Sequence, residues 1–213
     1  IAGTIDYLPP HDTAAALTES IAGLAAEEAS SQSGVGASGS FPGPLFLAVP
    51  PIEMEWPQRL EIGARSGANE SVTYADMLRV SAQFPDYHRR FLLGSVADNL
   101  ADKFGTRGSP ISLSTACASG ATAIQLGVEA IRRGETNAAL CIGTDGSINP
   151  EAVIRFSLLS ALSTSNDVPH AAAKPFSKNR DGFVMAEGAG ALVLESYEAA
   201  TARGAKILAV VEG

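Results

Sequence analysis

One cysteine, Cys117, lies where a strand-like segment gives way to small, helix-forming residues. Apolar and polar side chains alternate through residues 111–114, and small residues follow the cysteine. A thiol at the first turn of a helix faces unpaired backbone N–H groups and the positive end of the helix dipole, which favour the reactive thiolate. The same N–H groups can receive an oxyanion. The pattern therefore predicts either a nucleophile for a thioester carbonyl or a small buried hydrophobe.

The other cysteine, Cys141, lies in the apolar run 138–142, which is typical of a strand buried on both faces. Two cysteines are too few for a disulfide framework, and their spacing is not that of metal ligands. We expect Cys141 to pack in the core and expect no metal site. The sequon that begins at Asn69 would matter only in a secreted chain, so we interpret it as accidental.

Composition limits the classes of partner. The chain has 213 residues, of which 46% are hydrophobic and 18% charged, enough for one sizeable folded domain. Its formal net charge of −8 opposes binding to a phosphate backbone, which needs a basic face. No run approaches the ~20 apolar residues that span a membrane, and no charged-then-apolar leader opens the chain. We expect a cytoplasmic protein with neither a nucleic-acid nor a membrane partner.

Hydrophobic periodicity predicts alternating strands and helices. The expected helices cover residues 13–29 (capped by Asp12 or Thr13), 74–82, 87–104, 120–133, 150–160 and 197–203, with a loop at 30–44. The expected strands cover residues 45–49, the segment before Cys117, 138–142, 190–195 and 207–212. This alternation favours an α/β fold with a mainly parallel sheet and helices on both faces. Small apolar residues on nearly all sides of the 120–133 helix predict a central, buried helix.

Residues 111–120 and Lys174–Glu195 together closely resemble the β-ketoacyl-acyl-carrier-protein synthases, the condensing enzymes of the thiolase-like superfamily. Ala161–Thr164 and Cys141–Asp145 also fit that family, in the expected order. The resemblance extends from about Phe91 to the end of the chain. It implies a layered α-β-α, thiolase-like fold in which two pseudo-equivalent halves pack together.

The chain shows no internal repeat and is similar to one half of that pair. Its opening residues resemble a segment some tens of residues into family members. Residues 1–213 are therefore expected to be an N-terminal β-ketoacyl synthase domain that is incomplete at the start and lacks the C-terminal half. By the same resemblance, the complete protein is expected to be a homodimer.

The resemblance makes Cys117 the acyl acceptor. Enzymes of the family transfer an acyl group from a carrier-protein or coenzyme A thioester to this cysteine. They then decarboxylate a malonyl thioester and join the resulting carbanion to the acyl carbon. The resemblance implies an acyl carrier protein and acyl and malonyl thioesters as partners, with no organic cofactor. Family members also use two histidines in the C-terminal half, whereas His11, His88 and His170 have other surroundings. Residues 1–213 alone are thus expected to accept an acyl group without condensing it.

Two residues align with the family's acyl tunnel. Ile52 lies after Pro50 and Pro51, where many relatives have a glycine-rich run, which predicts an unusual chain-length preference. Phe156 keeps an aromatic side chain that lines the acyl pocket in the family. Core packing is the alternative for Phe156.

Two charged groups also suggest roles. Lys178, Arg180 and Asp181 are expected to form an ion-pair network that is structural rather than catalytic. Arg79, Arg89 and Arg90 form either a docking patch for an acidic carrier protein or a solvated helix face, and we favour the second interpretation.

The leading interpretation is a 3-oxoacyl-acyl-carrier-protein synthase of fatty-acid biosynthesis. A polyketide-type ketosynthase is the main alternative because it shares the cysteine motif, and an inactive structural fragment is another for the isolated chain. Chain-length-factor partners commonly lack the cysteine, so Cys117 argues against them. A cysteine hydrolase would explain the strand-cysteine-helix turn but leaves residues 174–195 unexplained.

Overall fold

The computed structural model describes residues 1–36, 39–67 and 72–212. The sequon at Asn69, and Ala37 and Ser38 of the predicted 30–44 loop, lie outside the described residues. The chain divides into two compact units. Unit 1 comprises Ile1–Ala15, Ile52–Leu92 and Gly146–Glu187, and unit 2 comprises Ala16–Pro51, Leu93–Asp145 and Gly188–Gly213.

Strands and helices alternate along the chain, as the periodicity predicts. The helices are α1 (Ala14–Ser33), α2 (Trp56–Arg65), α3 (Tyr74–Ser81), α4 (Pro85–Arg90), α5 (Ser95–Phe104), α6 (Ser119–Arg132), α7 (Pro150–Leu158) and α8 (Tyr197–Ala202). The strands are β1 (Ala2–Gly3), β2 (Leu45–Ala48), β3 (Ile111–Leu113), β4 (Ala138–Asp145), β5 (Met185–Ala186) and β6 (Gly188–Glu195). Short 3-10 turns occur at Ala116–Ala118 and Pro169–Ala171.

Unit 2 is built on a four-stranded sheet in the order β3-β2-β4-β6. Strand β2 pairs parallel with both β3 and β4, so that Phe46 lies beside Ile111 on one side and Cys141 on the other. Strand β6 is antiparallel to β4, with Ala138 opposite Glu195. The sheet is therefore mainly parallel with one antiparallel strand. In unit 1, β1 and β5 form a separate parallel pair.

Helices cover both faces of the unit 2 sheet. Alternate strand residues point to opposite faces. One face packs against α6 and contributes to a buried cluster of Phe46, Ala48, Ala123, Ala130, Ala139 and Cys141. The other face buries Leu45, Leu47, Leu140 and Ile142 almost completely. On that face the Thr144 hydroxyl donates to the Thr18 carbonyl of α1 at 2.9 Å. The α-β-α layering expected from the sequence is confirmed.

Helix starts follow local capping chemistry. The Asn149 side chain accepts from the Ala152 amide at 2.8 Å, and Pro150 occupies the first turn of α7. Thr73 and Asp76 form a reciprocal capping box at the start of α3. Such side chains satisfy backbone N–H groups that have no partner within the helix. Sequence therefore locates these helix starts well.

Helix α6 has the expected extent but not the expected environment. Its buried residues are Ala123, Gly127 and Ala130, at spacings of four and three residues. This is the single stripe of a helix packed on one face of a sheet. Its remaining apolar side chains stay partly or fully exposed. The prediction of a central, buried helix is therefore wrong, because among the described residues only one stripe of α6 is buried.

Three other expectations need correction. Helix α1 runs four residues beyond the predicted end at 29 and stops at Gly34, whose φ of +64° suits a left-handed cap. The predicted 87–104 helix is two helices, α4 and α5, interrupted before Gly94, which caps α5. Residues 207–212 are not a strand. Apolar composition alone does not make a strand, because its N–H and C=O groups need a partner strand.

No helix in the described ranges is both long and apolar enough to cross a lipid bilayer.

Candidate active site

Cys117 lies on a sharp strand-to-helix turn in unit 2. Strand β3 ends at Leu113, the 3-10 turn follows, and α6 begins at Ser119. Within the turn, Ala116 has a φ of +52°, a left-handed conformation that costs a non-glycine residue about 1–2 kcal/mol. The Cys117 side chain is exposed. The fold therefore places a strained turn immediately before an accessible thiol, and the buried-hydrophobe alternative for Cys117 is wrong.

Hydroxyl groups of the first turn of α6 brace this arrangement. The Thr115 amide donates to the Ser119 hydroxyl oxygen at 2.7 Å, and the Ser119 hydroxyl donates to the Ala116 carbonyl at 2.7 Å. The Thr122 hydroxyl donates to the Ala118 carbonyl at 3.1 Å. These bonds fasten both sides of Cys117 to the helix. Sequence reasoning missed this role for Ser119 and Thr122, although hydroxyl side chains near a helix start are a usable signal.

Cys141 has the opposite environment. It lies on β4 facing α6 and is 2% exposed. Burial raises the pKa of its thiol to about 12, and a backbone contact with Gly127 opposes that rise. The prediction that Cys141 packs in the core is confirmed. Of the two cysteines, Cys117 is exposed and Cys141 is buried.

The two candidate pocket residues both belong to unit 1. Ile52 is partly buried in the segment before α2. Phe156 lies on α7 and is 38% exposed, so core packing does not account for it. Its ring meets the Phe183 ring edge to face, with centroids 5.2 Å apart and an interplanar angle of 86°. The structure thus adds Phe183 as a neighbour of the candidate pocket.

An ion pair joins the segments that carry Ile52 and Phe156. Arg155 Nη1 lies 3.1 Å from Glu53 Oε1, and Arg155 Nη2 lies 2.7 Å from Glu53 Oε2. Arg59 Nη2 approaches Glu53 Oε2 at 3.3 Å. The hydrogen bond from Arg155 is the main reason that the pKa of Glu53 lies below its usual range. Sequence reasoning missed this pair because its members are 102 residues apart.

Asp181 holds two family-like segments together. Its carboxylate accepts from the hydroxyls of Ser163 and Ser165, each at 2.9 Å, and from the Thr164 amide at 3.3 Å. The two hydroxyl bonds, Ser163 first, lower the pKa of Asp181. Next to it, Leu162 forms a parallel bridge with Phe183. Residues 161–164 and 181–183 are therefore joined as one structural feature.

The expected ion-pair network around Asp181 is wrong. Within the described residues no salt bridge connects Asp181 to Lys178 or Arg180. The Arg180 Nη1 donates instead to the Ser177 carbonyl at 2.9 Å. Both Asp181 oxygens are already engaged by hydroxyl and amide donors.

The remaining candidates lie in unit 1. His88 is exposed on α4, His170 is exposed in the Pro169–Ala171 turn, and His11 precedes α1. Arg79 is exposed and lies 3.1 Å from Asp76, and Arg89 and Arg90 are exposed on α4. The solvated-face interpretation fits these arginines. No group of three potential metal ligands occurs among the residues that the structure describes.

Unit 2 also contains a cavity of about 820 Å³. It lies where β3 and β4 begin, lined by Ile111 and Ala138, whereas Cys117 follows the other end of β3. Arg133 and Arg203 border the cavity, and each binds a glutamate through two hydrogen bonds. The cavity is therefore separate from the Cys117 turn.

Comparison with known proteins assigns the family of the chain and its class of fold. Residues 60–200 match the family described as "Beta-ketoacyl synthase, N-terminal domain". The chain belongs to the β-ketoacyl synthase family, and the family recognised from the sequence motifs is confirmed.

Curated relatives include both fatty-acid and polyketide types. The chain is 43% identical over 122 residues to 3-oxoacyl-[acyl-carrier-protein] synthase 2 of Vibrio cholerae serotype O1, covering 57% of this chain and 30% of that protein. It is 38% identical over 129 residues to the putative polyketide beta-ketoacyl synthase 1 of Streptomyces cyaneus, covering 61% of this chain and 31% of that protein. The matched segment covers about a third of the length of these relatives.

Solved structures show the same fold over most of this chain. A beta-ketoacyl synthase from Burkholderia phymatum STM815 matches with a TM-score of 0.70 and 29% identity, covering 97% of this chain and 50% of that one. A second match is a ketosynthase bound to a hexaketide, in complex with its type II polyketide synthase acyl-carrier protein. Its TM-score is 0.70 and its identity 28%, covering 97% of this chain and 49% of that one. The thiolase-like fold expected for the chain is confirmed.

Proposed function

We propose that this chain is the N-terminal part of a 3-oxoacyl-acyl-carrier-protein synthase of fatty-acid biosynthesis, and that Cys117 is its acyl acceptor. The observation that carries the proposal is the exposed Cys117 thiol on a braced strand-to-helix turn. This turn lies inside the region that matches the family. An accessible thiol beside a helix start has the chemistry required of an acyl-accepting nucleophile.

The first reaction is a thioester exchange. The Cys117 thiolate attacks the acyl carbonyl, a new carbon–sulfur bond forms and the bond to the carrier's sulfur breaks. The departing thiolate takes up a proton. Backbone N–H groups at the start of α6 are donors of the kind that stabilise negative charge on the carbonyl oxygen during this step.

The proposal includes the partners and the second substrate. One structural relative is in complex with an acyl-carrier protein, and we extend that partnership, with acyl and malonyl thioesters as substrates, to this protein. The complete enzyme is proposed to be a cytoplasmic homodimer. By resemblance to the family, we propose that its histidine donors for the malonyl group belong to a C-terminal half of the enzyme.

Polyketide synthesis is the second candidate function. Its support is the 38% identity to a putative polyketide synthase and the fold match to a ketosynthase bound to a hexaketide. The two functions differ in the acyl chain that the enzyme extends. A fatty-acid enzyme extends saturated acyl chains, whereas a polyketide enzyme extends chains that retain their keto groups.

Acyl transfer to Cys117 tests the proposed function directly. The protein is incubated with octanoyl thioester, and peptide mass mapping locates the added acyl group. We expect one octanoyl group on Cys117 and none after Cys117→Ser, with Cys141→Ala as the matched control that stays acylated. Acylation of Cys141 alone, or none at all, would contradict the proposal. Rapid release of free octanoate would instead support a cysteine hydrolase.

A further inference from the structure

The Ser119 hydroxyl of unit 2 bonds to the two residues that lead into Cys117. It accepts from the Thr115 amide at 2.7 Å and donates to the Ala116 carbonyl at 2.7 Å. The Ser119 amide also donates to the Ala116 carbonyl. One residue of α6 therefore holds the backbone on both sides of the Ala116 φ angle.

Ala116 is the residue of this turn that most needs to be held. Its φ of +52° lies in the left-handed region, where the Cβ of a residue other than glycine is crowded. A strained backbone conformation persists only where surrounding contacts enforce it. The two hydrogen bonds of the Ser119 hydroxyl are contacts of this kind.

The first turn of α6 gives Ser119 a fixed support. A Cβ added at Gly143 of β4 would be 3.6 Å from the Gly120 Cα, so this turn lies against the sheet. The Thr122 hydroxyl oxygen also lies 3.2 Å from that of Thr115. The helix therefore contacts both β4 and the residue before Ala116.

The direction of the Ala116 carbonyl affects where the Cys117 side chain points. This carbonyl belongs to the planar peptide group that joins the two residues, so holding its oxygen restricts the orientation of the Cys117 backbone. Attack on a thioester requires the sulfur to meet the carbonyl carbon at the correct distance and angle, and small errors in placement slow such a step strongly.

We propose that Ser119 is a positioning residue, whose hydroxyl holds Ala116 in the left-handed conformation and thereby aims the Cys117 thiolate at the acyl carbonyl. This inference rests on the proposed function, because it requires Cys117 to be the acyl acceptor. The described hydrogen bonds of the Ser119 hydroxyl both go to backbone groups, so Ser119 acts through the backbone. Loss of the hydroxyl should slow attack on a thioester while the thiol stays exposed.

The test compares two reactions of Cys117 in the Ser119→Ala protein. Octanoyl transfer at a saturating thioester concentration should fall about tenfold, the size expected for losing one well-placed hydrogen bond. Alkylation by iodoacetamide should change by less than about twofold, because this small reagent can approach an exposed thiol from many directions. Ser119→Thr keeps the hydroxyl and should restore most of the octanoyl-transfer rate.

Ala116→Gly tests whether Ser119 acts through the strained residue. Glycine adopts a positive φ without a steric cost, so the turn then depends less on the hydroxyl. In the Ala116→Gly background, Ser119→Ala should lower the octanoyl-transfer rate by only about twofold, which a double-mutant cycle measures.

Ser33→Ala is the matched control in unit 2. The Ser33 hydroxyl also donates to the carbonyl three residues earlier, that of Ser30, at 3.0 Å and accepts from the Val35 amide at 3.2 Å. Val35 borders the cavity that is separate from the Cys117 turn. This substitution should leave both reactions of Cys117 unchanged. Urea denaturation shows whether each variant is folded under the assay conditions.

Hydrogen exchange provides a measurement that needs neither activity nor a variant. Thr115 is exposed, so without its bond to Ser119 its amide would exchange rapidly with solvent. In the original protein this amide should exchange slowly. Rapid exchange would show that the hydroxyl does not hold the turn.

The outcomes separate the role of Ser119 from the proposed function. Failure of octanoyl thioester to acylate Cys117 in the original protein overturns the proposed function. Normal octanoyl transfer by Ser119→Ala overturns the positioning role, and so does an equal loss of octanoyl transfer and alkylation, because the thiol itself is then less reactive. An equal loss of octanoyl transfer with and without Ala116→Gly also overturns it, because Ser119 then acts independently of Ala116.

Discussion

Gly127 on α6 lies directly over Cys141 on β4. A Cβ added at Gly127 would be 2.6 Å from the Cys141 Sγ, 3.0 Å from Leu194 Cδ1 and 3.4 Å from Ala139 Cβ. No real Cβ tolerates the shortest of these distances. The absence of a side chain at position 127 therefore allows the helix that begins beside Cys117 to pack closely on the sheet.

Gly127→Ala should destabilise the protein. The added methyl group overfills the contact with Cys141, which typically costs about 1–3 kcal/mol, while replacing a helical glycine by alanine returns up to ~1 kcal/mol. We expect a net loss of about 1–2 kcal/mol in the free energy of unfolding, measured by urea denaturation.

Gly120→Ala is the matched control in the same helix, because a Cβ there meets nothing within 4 Å. It should leave stability unchanged or raise it. Adding Cys141→Ala to Gly127→Ala should recover part of the loss, which a double-mutant cycle measures. A Gly127→Ala protein as stable as the original would contradict the close contact.

Alkaline pH should weaken folding through Cys141. Its pKa in the folded protein is about 12, whereas an unfolded cysteine ionises near ~8.5. The folded state keeps a proton that the unfolded state loses, so stability falls as pH rises above about 8.5. The expected contribution is roughly 1.4 kcal/mol per pH unit up to the folded pKa.

Urea denaturation of the original protein and of Cys141→Ala at pH 8, 9 and 10 measures this contribution. The free energy of unfolding should fall more steeply with pH in the original protein than in Cys141→Ala, since other ionising groups act equally on both. Parallel curves would show that Cys141 is not buried as described.

The two cysteines should differ sharply in reactivity toward iodoacetamide. Cys117 is exposed, whereas Cys141 is buried and held as a thiol at neutral pH. Brief labelling of the native protein followed by peptide mapping should modify Cys117 alone, and labelling in urea should modify both. Prior incubation with acyl thioester should protect Cys117. Equal native labelling would refute the assignment of the nucleophile.

Asp181→Asn should loosen the turn at Ser163–Ser165. An aspartate accepts from all three donors, whereas an asparagine NH₂ group cannot accept from a hydroxyl. Because these bonds lower the pKa of Asp181, the original turn should persist as pH falls through the usual aspartate range and open only in stronger acid. Faster hydrogen exchange at the Thr164 amide of the Asp181→Asn variant measures the loosening of the turn. Asp167→Asn, an exposed aspartate nearby, should leave this exchange rate unchanged.

Substitutions at the candidate pocket should change chain-length preference in different ways. Ile52→Phe should block long acyl chains and spare short ones, since overfilling an apolar channel typically costs ~1–3 kcal/mol. Phe156→Ala should remove the contact with Phe183 and weaken discrimination by length. Both are measured as rates of Cys117 acylation across thioesters from two carbons upward. The same proportional loss at every length would indicate that these residues support only the fold.

Sequence by itself determined the local features of this protein. The alternation before Cys117 and the small residues after it located the strand-to-helix turn, and the apolar run around Cys141 located a buried strand. Helix starts at Thr73 and Asn149 follow from side chains that bond neighbouring amides. All of these depend on residues within a few positions of one another, where periodicity and capping chemistry act.

Tertiary structure decided the relations between distant segments. The Glu53–Arg155 pair spans 102 residues, and the partners of Asp181 lie 16 to 18 residues away. The antiparallel direction of β6 and the exposed side of α6 likewise depend on the path of the whole chain. Sequence patterns show which side chains are apolar or charged, but the chain path determines which of them meet, because one pattern is compatible with many long-range pairings.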